Sequence, residues 1–107
     1  MLILKTLSRA ADLQGTDLHG FEIATRIQQM SQDVLQVEEG SLYPALQRML
    51  MKGWVTAEWG KTAENRRARY YRLTRAGKKE LAQQLERYER ISEAIARILR
   101  PIPEAAT

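Results

Sequence analysis

The chain has 107 residues, enough for one domain of modest core, because a chain this short buries only about two thirds of the surface its unfolded form exposes. With 44% hydrophobic and 28% charged residues it reads as an ordinary globular protein. Its longest apolar stretch, Met1 to Leu4, is far below the roughly 20 residues of a membrane span, and no signal-peptide pattern follows it, so the cytoplasm is the expected compartment. The absence of cysteine excludes disulfides, thiolate nucleophiles and Cys-based zinc sites, while the net charge of +4 is a weak pointer to a polyanionic partner.

In chain order, MLILKTLSRAADL carries Leu2, Ile3, Leu7, Ala10 and Ala11 close to helical spacing and ends in QGTD, so a first helix is expected there. Asp17 is the expected cap of a second helix, HGFEIATRIQQM, with Glu22 in its first turn and an apolar face of Phe21, Ile23, Ala24, Ile27 and Met30. Ser31 to Glu39 breaks the pattern. The third helix should start near Gly40 or Ser41, since Pro44 lacks an N–H and suits a first turn, and it should stop at Gly53. Leu42, Leu46, Met49 and Leu50 fall on its inner face; Ser41, Pro44, Gln47, Arg48 and Met51 fall outward, with Tyr43 on the flank.

The period then changes from about 3.6 to 2. WVTAEW and RYYRL, joined by a polar loop, read as a β-hairpin with Val55, Ala57 and Trp59 on one face. Between Gly60 and Arg72 the residues Lys61, Arg66, Arg67, Arg69 and Arg72 meet a single acid, Glu64, so the basic surplus is concentrated on that hairpin. Thr74 caps a long last helix whose seam runs Leu81, Leu85, Tyr88, Ser92, Ile95 and Leu99, widened by Ile91 and Ile98, before Pro101 and Pro103.

These elements compose a mostly α chain with a small β-hairpin: a winged helix-turn-helix over residues 1–75, a dimerisation helix over 76–100, and a tail over 101–107. A helix of about ten residues with a polar outer face fits the major groove, and a basic hairpin beside it reaches phosphates. The recognition-helix candidates are Ser41, Tyr43, Pro44, Gln47 and Arg48, and the wing candidates are Lys61, Asn65, Arg66, Arg67 and Arg69.

The strings LHGFEIATRI, VEEGSLYPALQRM, KGWVTAEW and NRRARYYRLTRAGKKEL resemble successive blocks of the PadR family of transcriptional regulators, in order and spacing, over about residues 2 to 90. The resemblance implies a fold in which helices two and three form the helix-turn-helix, the hairpin is the wing, and the C-terminal helix pairs with the first helix of a second subunit. The dimer interface implied here comprises Leu2, Leu81, Leu85, Tyr88, Ile91, Ile95 and Leu99. It also implies palindromic operator binding, usually repression, with release by a small-molecule effector in some members. The single C-terminal helix is like that of the shorter-armed members. Two departures stand out. Members usually carry several more residues before the block that starts here at Leu2, and Leu50 stands where an acid is common in the third helix.

Other readings are weaker. His19, the only histidine, has no Cys or carboxylate cluster with which to hold a metal and no Ser/Asp pair for a triad, so it reads as a cap or packing residue. Glu38 and Glu39 read as acids before a helix N-terminus, not a catalytic pair, and Ser31 to Gly40 lacks the glycines of a phosphate loop. Trp54 and Trp59 read as core at the two ends of the hairpin, and Met30, Met49 and Met51 as core or groove-lining. No metal, cofactor or membrane is called for, and no constellation supports an enzyme. The expected partners are operator DNA and a second copy of the chain. The alternative is a winged-helix module that binds protein, without sequence-specific DNA binding; fold alone does not separate the two.

Overall fold

Leu4, Leu7 and Ala10 recur every third residue, and helix α1 (Leu2–Gln14) turns them inward together with Thr6, whose hydroxyl donates to the Leu2 carbonyl at 2.7 Å. The buried face is thus centred on Leu4, fully buried, while Leu2 and Ala11, two of the apolar residues in the expected helical spacing, are exposed. Gly15, at φ 63°, ends the helix in the left-handed conformation, and the Thr16 N–H reaches back to the Ala10 carbonyl, satisfying a terminal acceptor.

The computed structural model describes residues 1–102, so the expected tail lies outside the described residues from position 103 onward. After α1 come β1 (Leu18–His19), α2 (Gly20–Met30), α3 (Glu39–Met51), β2 (Val55–Lys61), β3 (Arg67–Leu73) and α4 (Arg75–Leu99). The strands form one antiparallel sheet in the order β1-β3-β2. The fold is a winged helix with a long C-terminal helix, as expected, but β1 makes three strands of the expected two. Leu18 pairs with Tyr71 and His19 with Tyr70, a stretch too short for alternation to reveal.

β1 displaces the expected cap of α2. Asp17 turns to the sheet and binds Arg72, while His19 caps: its Nδ1 accepts from the Glu22 N–H at 3.4 Å, and Glu22 Oε1 accepts from the His19 N–H at 3.2 Å. Ile23 and Ile27 face the core, but Phe21 and Met30, expected beside them, are exposed. α3 begins one or two residues earlier than expected, at Glu39, which puts Pro44 in the second turn. The Gly40 carbonyl that Pro44 cannot bond belongs to an exposed residue, so the loss is tolerated. Gly53, at φ 75°, terminates α3 as expected, its N–H bonding the Leu50 carbonyl and that of Trp54 the Met49 carbonyl.

Leu4, Leu18, Ile23, Leu42 and Leu46 are fully buried where the helices meet the sheet, closed by Val55, Tyr71, Leu73 and Leu81. Thr74 fixes the start of α4, donating to the Gly53 carbonyl at 2.6 Å and accepting from the Gly77 N–H at 3.0 Å. Gly77 lies on the Trp54 backbone so closely that any Cβ there would collide with the Trp54 carbonyl oxygen.

Leu81 is 5% exposed and Leu85 half-buried against the same core, whereas every described residue beyond them on α4 is exposed. Leu81, expected at a dimer interface, therefore belongs to the protomer's own core, because the first two turns of α4 cover α1 and the sheet before the helix projects. The projection stretches the chain to 65 Å along its long axis. α4 ends at Leu99 with Arg100 extended before Pro101, as the restriction on residues preceding proline requires.

Candidate nucleic-acid interface

Burial of Leu42 and Leu46 leaves Ser41, Tyr43, Pro44, Gln47 and Arg48 on the outer side of α3, with Tyr43 46% exposed. Tyr43 leans across to α2, its ring so close to Gly20 that a Cβ there would lie 2.8 Å from a ring carbon. Glycine at this position lets the ring cross the first turn of α2 and ties the outer face of α3 to it.

The hairpin rises beside this face. Antiparallel pairing sets Val55 opposite Leu73, Ala57 opposite Tyr71, Trp59 opposite Arg69 and Lys61 opposite Arg67, so all eight share the sheet face that carries the core at its lower end. Burial runs out along the strand: Val55 is buried, Ala57 half-buried and Trp59 59% exposed. Trp59 is therefore not a core residue, although Trp54 does pack against the core, with the Lys52 ammonium 4.7 Å from its ring. Above Trp59 lie two guanidinium groups, that of Arg67 4.3 Å and that of Arg69 5.6 Å from its ring centroid, both within cation–π range. The Nε of Arg69 is buried and has no hydrogen-bond partner among the described residues.

On the opposite sheet face Tyr70 packs on Gly60, where no side chain could fit without displacing the ring, and donates to the Lys61 carbonyl at 3.0 Å. The wing tip is a tight turn. The Thr62 N–H bonds the Arg66 carbonyl at 2.8 Å, the Asn65 N–H the Thr62 carbonyl at 2.9 Å, and Asn65 takes the left-handed conformation that asparagine tolerates. Lys61, Asn65, Arg66 and Arg67 are exposed there.

Wing, α2 and α3 enclose an open cleft of about 1230 Å³. It brings Tyr43 and Gln47 of α3 together with Arg66, Arg67 and Arg69 of the wing, and adds Phe21, Arg26 and Trp59, which sequence patterning does not assign to the interface. Ser41, Pro44, Arg48, Lys61 and Asn65 stand outside it. Phe21 and Trp59 are hard to find from sequence because each sits within a pattern shared with the core, and Arg26 is a lone basic residue on a helix outside the basic run; the cross-strand partnership of Trp59 with an arginine is the available signal.

Arg72, part of the same basic run, is not free. Its head is held by Asp17, whose hydrogen bond and charge raise the guanidinium pKa above its ordinary value. Burial, opposed by Arg69 and assisted by Tyr43, likewise raises the pKa of the Tyr71 phenol.

A second surface lies on α4, where Tyr88, Ile91, Ile95, Ile98 and Leu99 are between 50% and 82% exposed; Leu2 on α1 is also exposed. No helix among the described residues is long and apolar enough to cross a membrane, and no group of three His, Cys, Asp or Glu side chains among them could hold a metal.

An uncharacterised protein of Lysinibacillus sphaericus is 29% identical to this chain over 79 residues, 74% of this chain and 72% of its own. A transcriptional regulator from Clostridium thermocellum has a similar solved structure, with a TM-score of 0.78 and 26% identity over 92% of this chain and 90% of that one. A PadR family transcription regulator from Clostridium difficile is similar at a TM-score of 0.68 and 27% identity, covering 92% of this chain and 97% of that one. Residues 11–83, which hold the helix-turn-helix, the wing and the first turns of α4, match the Transcriptional regulator PadR-like family. The exposed polar face of α3, the arginine-bearing wing beside it and this match agree: the chain belongs to the PadR-like family, DNA-binding transcriptional regulators and not enzymes.

Proposed function

We propose that the chain is a cytoplasmic homodimeric repressor that binds a palindromic operator and is released from it by a small-molecule effector. Residues 1–75 form the DNA-binding unit in this reading, and α4 over 76–100 is the dimerisation arm, with its working surface beyond Leu85. α3 lies in the major groove, where Gln47 pairs with a base edge, Arg48 reaches guanine or a phosphate, and Ser41, Tyr43 and Pro44 flank them. Lys61, Asn65, Arg66, Arg67 and Arg69 contact phosphates, which fix position without reading sequence. Tyr88, Ile91, Ile95 and Leu99 pair with a second copy, against its α1 near Leu2.

The observation that carries this reading is the shared cleft: Gln47, a side chain able to read a base, and Arg66, Arg67 and Arg69, suited to phosphates, converge on one side of the molecule. The α4 stripe supports the dimer, since contiguous apolar surface on a monomer marks an interaction site.

Selection of bound fragments from a random DNA pool, followed by footprinting, tests it. The expected site is an inverted repeat with half-sites about 34 to 36 Å apart, or a multiple of that. Failure to enrich any sequence, with capture of a protein ligand through α3 or the wing, would replace this reading with the protein-interaction module. Reporter expression that rises when the gene is deleted distinguishes repression from activation.

A further inference from the structure

We propose that Trp59 is a positioning residue of the DNA interface: its indole face holds the guanidinium groups of Arg67 and Arg69 so that they meet a backbone phosphate in the cleft between the wing and α3. The inference rests on the DNA-binding reading and adds to it a residue that touches no DNA.

Trp59 is more than half exposed, on an outer stretch of hairpin that the core does not reach, so burial gives no reason for a large aromatic there. Its register gives one. Arg69 is its direct cross-strand partner and Arg67 the diagonal neighbour on the same face, and both guanidinium groups lie over the ring. A free arginine samples many rotamers and loses that freedom on binding; one already stacked on a rigid plane loses less. The buried, unpartnered Nε of Arg69 is a donor in want of an acceptor, and it belongs to a side chain that lines the cleft. A buried guanidinium donor without an acceptor is unfavourable, and a small shift of the Arg69 side chain as a phosphate enters the cleft would pair it.

The ring, and not its bulk, is what matters, so Trp59→Phe and Trp59→Leu separate positioning from packing. Each cation–π interaction at an exposed site is worth about 2- to 5-fold in an equilibrium constant. Trp59→Leu should therefore weaken binding to any duplex, cognate or random, by about 5- to 25-fold, with base preference unchanged. Trp59→Phe should recover most of that loss. In an Arg67→Ala, Arg69→Ala background, Trp59→Leu should change affinity by less than about 2-fold, because nothing remains to position.

The Arg69 Nε–H should also exchange more slowly with solvent once wild-type protein is saturated with duplex, a readout independent of any variant's stability. Trp59→Leu binding like wild type, or losing as much in the arginine-free background as in wild type, would overturn the positioning role while leaving DNA binding intact. Wild-type protein that binds no duplex at all would instead overturn the reading on which the proposal rests.

Discussion

Arg72 grips Asp17 with two parallel hydrogen bonds, Nε to Oδ1 at 3.0 Å and Nη2 to Oδ2 at 3.1 Å, tying β3 to the segment that leads into β1. The pair is solvent-accessible, and such pairs contribute modestly to stability even with bidentate geometry. Arg72→Ala is expected to lower the thermal midpoint by on the order of a few degrees. Because the head is already neutralised, it should leave the salt dependence of DNA binding unchanged. A slope that flattens as it does for the wing tip would add Arg72 to the phosphate-binding residues.

The wing-tip arginines should behave oppositely. Arg66→Ala combined with Arg67→Ala is expected to weaken cognate and random duplexes alike and to reduce the salt slope by about 0.9 for each phosphate left without its arginine. Titrations at several salt concentrations measure this, and an unchanged slope places both residues outside the interface.

Gln47→Ala and Arg48→Ala address the recognition helix. Whichever residue reads a base should cost about 1 to 3 kcal/mol on the selected operator and much less on random duplex. Equal losses on both duplexes, for both variants, would mean that α3 does not read sequence.

Tyr88, Ile91, Ile95 and Leu99 form the exposed stripe of α4, and Ile91→Glu with Ile95→Glu is the sharpest test of the dimer because neither residue serves the protomer's core. Burial of an isoleucine contributes about 1.5 to 3 kcal/mol, so the double variant should raise the dimer dissociation constant by at least about 100-fold. Sedimentation should show monomers at micromolar concentration with an unaltered fold by circular dichroism. A wild type that is itself monomeric and binds operator tightly would sink the dimer.

Tyr71 gives a pH dependence. Burial holds its phenol above the ordinary value of 10.0, whereas in the unfolded chain it ionises near that value. The contribution is thus fully present below pH 10 and is lost as the pH rises through the folded-state value. Urea midpoints should fall more steeply with pH above 10 in wild type than in Tyr71→Phe, and parallel curves would show that the phenol does not titrate with unfolding.

The sequence was most legible where one periodic pattern had one cause. α3 could be read from Leu42 and Leu46 inside against Gln47 and Arg48 outside, and from a glycine at its end. The hairpin followed from alternation. It was least legible where one pattern had two possible causes: Trp59 alternates in phase with Val55 and Ala57, yet the strand outruns the core between Ala57 and Trp59, and only the cross-strand register with Arg69 exposes the change of role. Leu81 misled in the other direction, since the heptad-like seam of α4 begins in the protomer's own core and continues unbroken onto its exposed surface. Asp17 lost its expected capping role because a two-residue strand, invisible to periodicity, drew it to Arg72 and left the helix start to His19, which the sequence offers as a cap or packing residue.

The approach of Gly77 to the Trp54 carbonyl, backed by the Thr74 hydroxyl between Gly53 and Gly77, fixes the direction of α4 against the root of the wing. Little there can flex, since the short Thr74 side chain is bonded on both sides, so in the proposed dimer the arm acts as a stiff lever. A helix of 25 residues is about 37 Å long, and tilting it by about ten degrees would carry its far end about 6 Å, close to two base-pair steps. The operator spacing that the dimer accepts is then set at a single glycine: Gly77→Ala should shift or blur the preferred distance between half-sites while leaving the sequence of each half-site as it was.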